Sequence, residues 1–168
     1  MKRFIIITIE ILICYLLQTT IFQWIALANV VPNLLLILTV SNGFLRGRKS
    51  GITVGFFCGL LIDLCFGKII GLYAFIYMVI GYANGFANVV FDRDDQIIPI
   101  ILVGISDLFY FFLSYIFNFL LRGKLDIFFY FTRIGLPEIV YTLLISIFLL
   151  KLFYIINKHL ERAEKEEA

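Results

Sequence analysis

Polar residues in this chain are rare and widely spaced, and they cut it into long apolar runs. Between Arg3 and Arg46 the only charge is Glu10, and the stretch from Ile11 to Leu45 carries none. As one helix that stretch would be about 52 Å long, against a hydrocarbon core of about 30 Å, so the chain has to turn inside it. The turn falls between Ala28 and Asn33, because Pro32 disfavours helix at Val31 and is suited to opening the next one. Charged or Gly-rich breaks divide the remainder, giving spans near residues 4–24, 32–45, 50–66, 69–91, 97–121 and 136–157. Together they make one transmembrane domain over residues 1–157, followed by a charged, solvated tail at 158–168. Barrel-type alternation with period two is absent, and lipid offers no partner to backbone N–H and C=O groups, so the spans are helices. The expected fold class is all-α, a polytopic membrane bundle of six transmembrane helices. Its second span, about 14 residues, is short for a bilayer and implies little tilt or locally thinned lipid.

Composition agrees with lipid as the solvent. Hydrophobic residues make up 62% and charged residues 15% of the 168 residues, against roughly 45–50% and 25% in soluble domains. Mean hydropathy is +1.01. A chain of this size has too little interior to hide so much apolar surface from water. A soluble enzyme, a nucleic-acid reader and a disordered scaffold are thereby excluded. Lys2 and Arg3 followed by an apolar run with no small-residue cleavage site read as a retained anchor.

Charge placement sets the expected orientation. With six spans and the N-terminus inside, the cytoplasmic set is Lys2, Arg3, Arg46, Arg48, Lys49, Arg93, Lys151, Lys158, Arg162 and Lys165. The outer set is Lys68, Arg122, Lys124 and Arg133, so ten of the 14 basic residues lie inside, as the positive-inside rule requires. Both ends are then cytoplasmic. Arg46, Arg48 and Lys49 in the first inner turn are a weak signal for contact with anionic membrane lipid.

Candidate chemistry is sparse. Cys14, Cys58 and Cys65 lie in apolar stretches and read as small buried hydrophobes, and His159 is the single histidine. No catalytic, cofactor-binding or metal-binding constellation is assigned, and no cofactor is expected. Packing signals are clearer. Gly51, Gly55 and Gly59 recur every fourth residue, and Asp63 continues the series, so they share one slowly wrapping helix face. Gly81 and Gly85 form a second, shorter pair. Small residues let helices approach closely where hydrophobicity supplies no drive. Both faces read first as packing within the bundle, with partner contact open for one.

Glu10, Asp107 and Glu138 are further carboxylates in or near the spans. A central acid costs about 2.5–3.5 kcal/mol on insertion scales, so each is expected to face the bundle interior, protonated or partnered, with Glu138 near Arg133 at the outer boundary. Such a set also describes a proton or cation path, but the spans offer no buried Lys or His and no paired broken helices to support one. The outer segment carrying Arg122, Phe128, Phe129, Tyr130 and Arg133 mixes charges with aromatics. It reads as an interfacial anchor or as a docking surface for an extracytoplasmic partner.

One ordered set of residues carries a family resemblance. Pro32–Asn33–Leu34, Leu45–Arg46–Gly47, Gly51, Gly55–Phe56, Gly59 to Asp63, Gly71–Leu72–Tyr73 and Gly81–Tyr82 resemble the bacterial rod shape-determining MreD family. The match covers about residues 15–90 well, and the second half agrees in span pattern and length. Asn33 departs from the acidic residue expected there in many members. The resemblance implies a non-enzymatic inner-membrane component of the cell-elongation machinery, controlling cell shape and peptidoglycan synthesis. It implies MreC as the direct partner, with MreB, RodA and a class B penicillin-binding protein in the same assembly. It also implies a fold like the substrate-binding S components of energy-coupling-factor transporters, which supplies the alternative of a vitamin-transporter subunit. Here the first span lacks the Ala-x-x-x-Ala surface those subunits use, and no vitamin pocket can be assigned.

Overall fold

The computed structural model describes residues 2–26, 29–67, 70–118, 123 and 126–167, with side chains from Arg3 to Ala163. Among the described residues the regular elements are all helical. Helix α1 (Lys2–Leu16) continues through a π-turn (Leu17–Ile21) into a last turn at Phe22–Trp24. The Thr19 hydroxyl donates back to the carbonyl of Tyr15 at 2.8 Å, and that of Thr20 to Leu16. Hydroxyls bonded into the preceding turn bend a helix and suit the wider π geometry. The following helices are α2 (Leu34–Arg46), α3 (Arg48–Phe66), α4 (Leu72–Val90), α5 (Ile97–Asn118) and α6 (Leu136–Glu167).

Five of the helices are long and apolar enough to cross a membrane, the last running over Ile127–Ala163, and α2 at 13 residues is the short one. Every residue of α2 from Leu34 to Leu45 is buried, and the helix packs against all five others. A helix that is apolar all round is one enclosed all round. Thr39 and Asn42 satisfy their polar groups on α2 itself, donating to the carbonyls of Leu35 at 2.8 Å and Leu38 at 3.0 Å. Enclosure by protein replaces the sequence-based picture of this span beside thinned bilayer. At about 20 Å it has no lipid boundary to match.

The reverse pattern covers the outside, where Phe4, Leu16, Trp24 and Phe148 are exposed. In a soluble protein such a surface would be a liability, whereas here it faces hydrocarbon. The chain is a multi-pass membrane protein.

The final helix begins earlier than the sequence places it. Ile127–Tyr130 and a π-turn at Phe131–Gly135 run without a break into α6, ahead of Pro137. Proline removes a backbone donor and crowds the carbonyl four residues earlier, and a wider turn there relieves that conflict without ending the helix. At the other end α6 runs on to Glu167, so the charged tail continues the last span as helix.

Candidate functional site

The two glycine faces turn out to be opposite sides of one contact. A Cβ added at Gly51 would collide with the carbonyl of Gly81, one at Gly55 with that of Tyr77, and one at Gly59 with Tyr73 and Ala74. At the N-terminal end of α3 a Cβ on Gly85 would strike the backbone of Arg48. Helices α3 and α4 therefore run antiparallel, backbone against backbone, along their whole length. Arg48 closes the seam by laying its guanidinium 3.6 Å from the ring centre of Phe86.

Asp63 completes that seam in a way its spacing did not reveal. Its carboxylate accepts the backbone N–H of Tyr73 at 3.0 Å and that of Ala74 at 2.8 Å. These are donors that the first turn of α4 leaves unpaired, and the residue preceding α4 is Gly71, which has no side chain to cap them. At φ 100° Gly71 makes the tight entry into α4, and α3 supplies the missing cap from across the seam.

A second polar node lies in the interior, centred on Asn33. Its side-chain oxygen caps α2 by accepting from Leu36 N at 3.2 Å, and it also accepts the hydroxyl of Tyr77 at 2.7 Å. Its own backbone N–H donates to Thr142 of α6 at 3.1 Å. Asp107 of α5, 1% exposed, stands beside Thr142 and Asn33, the two side chains placed to stabilise its carboxyl, yet among the described residues neither oxygen meets a partner at full hydrogen-bond geometry. Glu138 is half-buried and interacts electrostatically with Asp107. It does not pair with Arg133, whose guanidinium lies over Phe129 at 5.7 Å instead. Glu10 is buried on α1, with Arg46 the opposite charge acting on it. Helices α2, α4, α5 and α6 thus meet at one buried cluster containing a carboxyl that, among the described residues, meets no partner at full hydrogen-bond geometry.

Asparagines tie the remaining joints. Asn84 bridges α4 to Ser106 of α5 at 2.8 Å, Asn88 reaches the carbonyl of Phe44 at 2.6 Å, and Asn118 reaches the Tyr73 hydroxyl at 2.9 Å. Arg46 donates to Asn157 at 2.6 Å. The acidic turn after α4 is held to α6 by the Tyr154 hydroxyl, which donates to Asp94 at 2.5 Å. Among the asparagine and hydroxyl residues here, Asn33 is of a capping type just before an apolar run, a signal that could have marked it. Thr142, Asn84 and Ser106 had none, because a single polar residue in a span says nothing about what it faces.

From Ile127 on, the aromatic segment after α5 is helical. Phe128 is 79% exposed and Phe129 54%, Arg133 is exposed, and Tyr130 is half-buried with its ring 6.0 Å from that of Tyr115. Arg122 lies outside the described residues. Cys14 and Cys58 are buried as expected, whereas Cys65 is exposed, because it sits on the far side of α3 from the seam.

A family model described as rod shape-determining protein MreD matches residues 1–160. No curated protein and no solved structure matches the chain. The chain belongs to the rod shape-determining MreD family. Its function is rod-shape determination, and it is associated with the rod-shape complex.

Proposed function

We propose, from membership of the rod shape-determining MreD family, that this chain is a non-enzymatic scaffold of the bacterial inner membrane. It acts in cell elongation and peptidoglycan synthesis by binding MreC directly, in an assembly with MreB, RodA and a class B penicillin-binding protein. The observation that carries the reading is the family match over residues 1–160. The interior is consistent with it: Asp63, Asn33 and Asn84 spend their hydrogen bonds on joining helices. Both ends of the chain are cytoplasmic in this reading, supported by the excess of basic residues on that side. The MreC-docking element is the exposed aromatic turn with Phe128, Phe129 and Arg133, a residue mix enriched at interfaces.

Affinity recovery of MreC from membranes tests this. The wild-type chain should retain MreC in mild detergent, and Phe128→Ala with Arg133→Ala should lower recovery at least about fivefold, equivalent to about 1 kcal/mol of binding. No MreC with the wild type would overturn the scaffold reading, and full recovery with the double variant would overturn the docking element. The transporter-subunit alternative needs a pocket for its cargo. The cavity lined by Tyr15, Gln18, Thr19, Tyr73 and Tyr110 measures about 210 Å³ and the groove between α1 and α3 about 640 Å³, against roughly 300–1,000 Å³ for small-molecule sites, so saturable binding of a small molecule by the purified chain is what would favour that alternative.

A further inference from the structure

Where α2 finishes and α5 begins, a groove of about 190 Å³ opens between α5 and α6 and reaches down to α2. At its base is Ser41, 2% exposed, whose hydroxyl makes no hydrogen bond among the described residues. Its mouth carries Arg93 and Asp95 from the turn before α5, and Lys151 from α6. Among the described residues neither the Asp95 carboxylate nor the Lys151 ammonium has a partner, and Arg93 holds only Asn88, at 3.3 Å. The adjacent Asp94 is already taken by Tyr154. Charges of both signs thus line one groove without pairing with each other.

The walls are short. By helix rise α6 contributes about 10 Å from Ile147 to Tyr154, and α2 about 6 Å from Ser41 to Leu45. Every side of the groove therefore ends within one leaflet of a core about 30 Å thick. Its volume is below the roughly 300–1,000 Å³ of sites that enclose a small molecule, so it suits a ligand whose bulk stays outside. Ile147 at its lip is exposed, as are Ile97 and Ile101 on the adjoining face of α5, and they supply apolar surface for that bulk.

We propose that this groove seats the headgroup of one zwitterionic glycerophospholipid with a primary ammonium, a phosphatidylethanolamine. Arg93 and Lys151 take the phosphate, Asp95 accepts the ammonium N–H groups, and the acyl chains lie on the exposed isoleucines. Charge complementarity selects the occupant. A quaternary ammonium has no N–H to give Asp95, and phosphatidylglycerol offers it only a neutral hydroxyl, a weaker donor to a carboxylate. A partner's membrane-spanning helix needs a wall through both leaflets, which no side of the groove provides. The site is independent of MreC docking, since it lies at the end of α5 and α6 remote from the aromatic turn.

Native mass spectrometry of the full chain tests it, after delipidation in detergent and addition of phosphatidylethanolamine, phosphatidylcholine or phosphatidylglycerol with identical acyl chains. The wild type should retain one phosphatidylethanolamine with about a fivefold or greater preference over either competitor. D95N should bring that preference towards parity, and K151Q should lower retention of all three lipids. Both side chains are exposed, so each variant should melt as the wild type does. Phosphatidylcholine or phosphatidylglycerol retained by the wild type as well as phosphatidylethanolamine would overturn the proposal. So would a preference that survives D95N, retention unchanged in K151Q, or Ile147→Cys cross-linking in membranes to another polypeptide.

Discussion

Asp63 and Asp107 are both buried acids on spanning helices, and they differ in what meets their oxygens. Each Asp63 oxygen accepts one backbone N–H at the start of α4, whereas the Asp107 oxygens, beside Thr142 and Asn33, meet no partner at full hydrogen-bond geometry among the described residues. An amide at position 63 keeps one acceptor and turns an N–H₂ group towards a backbone donor. Asp63→Asn should therefore destabilise the purified protein by about 1–3 kcal/mol, read from its unfolding midpoint, with Asp63→Leu worse. Asp107→Asn removes no hydrogen bond of full geometry and should leave the midpoint within about 1 kcal/mol of wild type. Sequence marked Asp63 out as continuing the glycine face, but spacing gives the helix face of a residue and not the chain end opposite it. The Asp63 oxygens became intelligible only once Gly71 was seen to open α4 without a capping side chain.

At the level of elements, the seam between α3 and α4 is the joint most sensitive to added volume. The fourfold spacing of Gly51, Gly55 and Gly59 was legible as a close-packing face, but its pairing with Gly81 and Gly85 was not, because spacing within one helix does not identify its neighbour. Gly55→Ala pushes a methyl into the Tyr77 carbonyl and should cost about 1–3 kcal/mol. Gly104→Ala is the control: its nearest neighbour is a terminal methyl of Leu143 at 3.3 Å, a flexible group able to shift. That variant should be neutral or gain up to about 1 kcal/mol from helix propensity. Thermal unfolding of both variants in the same detergent compares them. The all-α membrane-bundle class was readable from the apolar runs. The start of the last helix was not, because Arg133 and Pro137 resemble a boundary while the π-turn lets the helix pass through them.

Across the whole molecule, the arrangement places a short, wholly enclosed helix at the centre and apolar side chains on the outside, and its named polar groups mostly join helix to helix. Such a body is suited to being held by other membrane proteins. The carboxyls of Glu10, Asp107 and Glu138 are what a proton- or cation-handling mechanism would have to use. The most direct test is to replace all three at once (Glu10→Gln, Asp107→Asn and Glu138→Gln) and express the variant in rod-shaped cells depleted of their own family member, where the unaltered chain restores rods. If the protein works by binding alone, the triple variant present at normal abundance restores rod shape to the same degree. Round cells despite normal abundance and normal recovery of MreC would contradict that and assign the acids a chemical role.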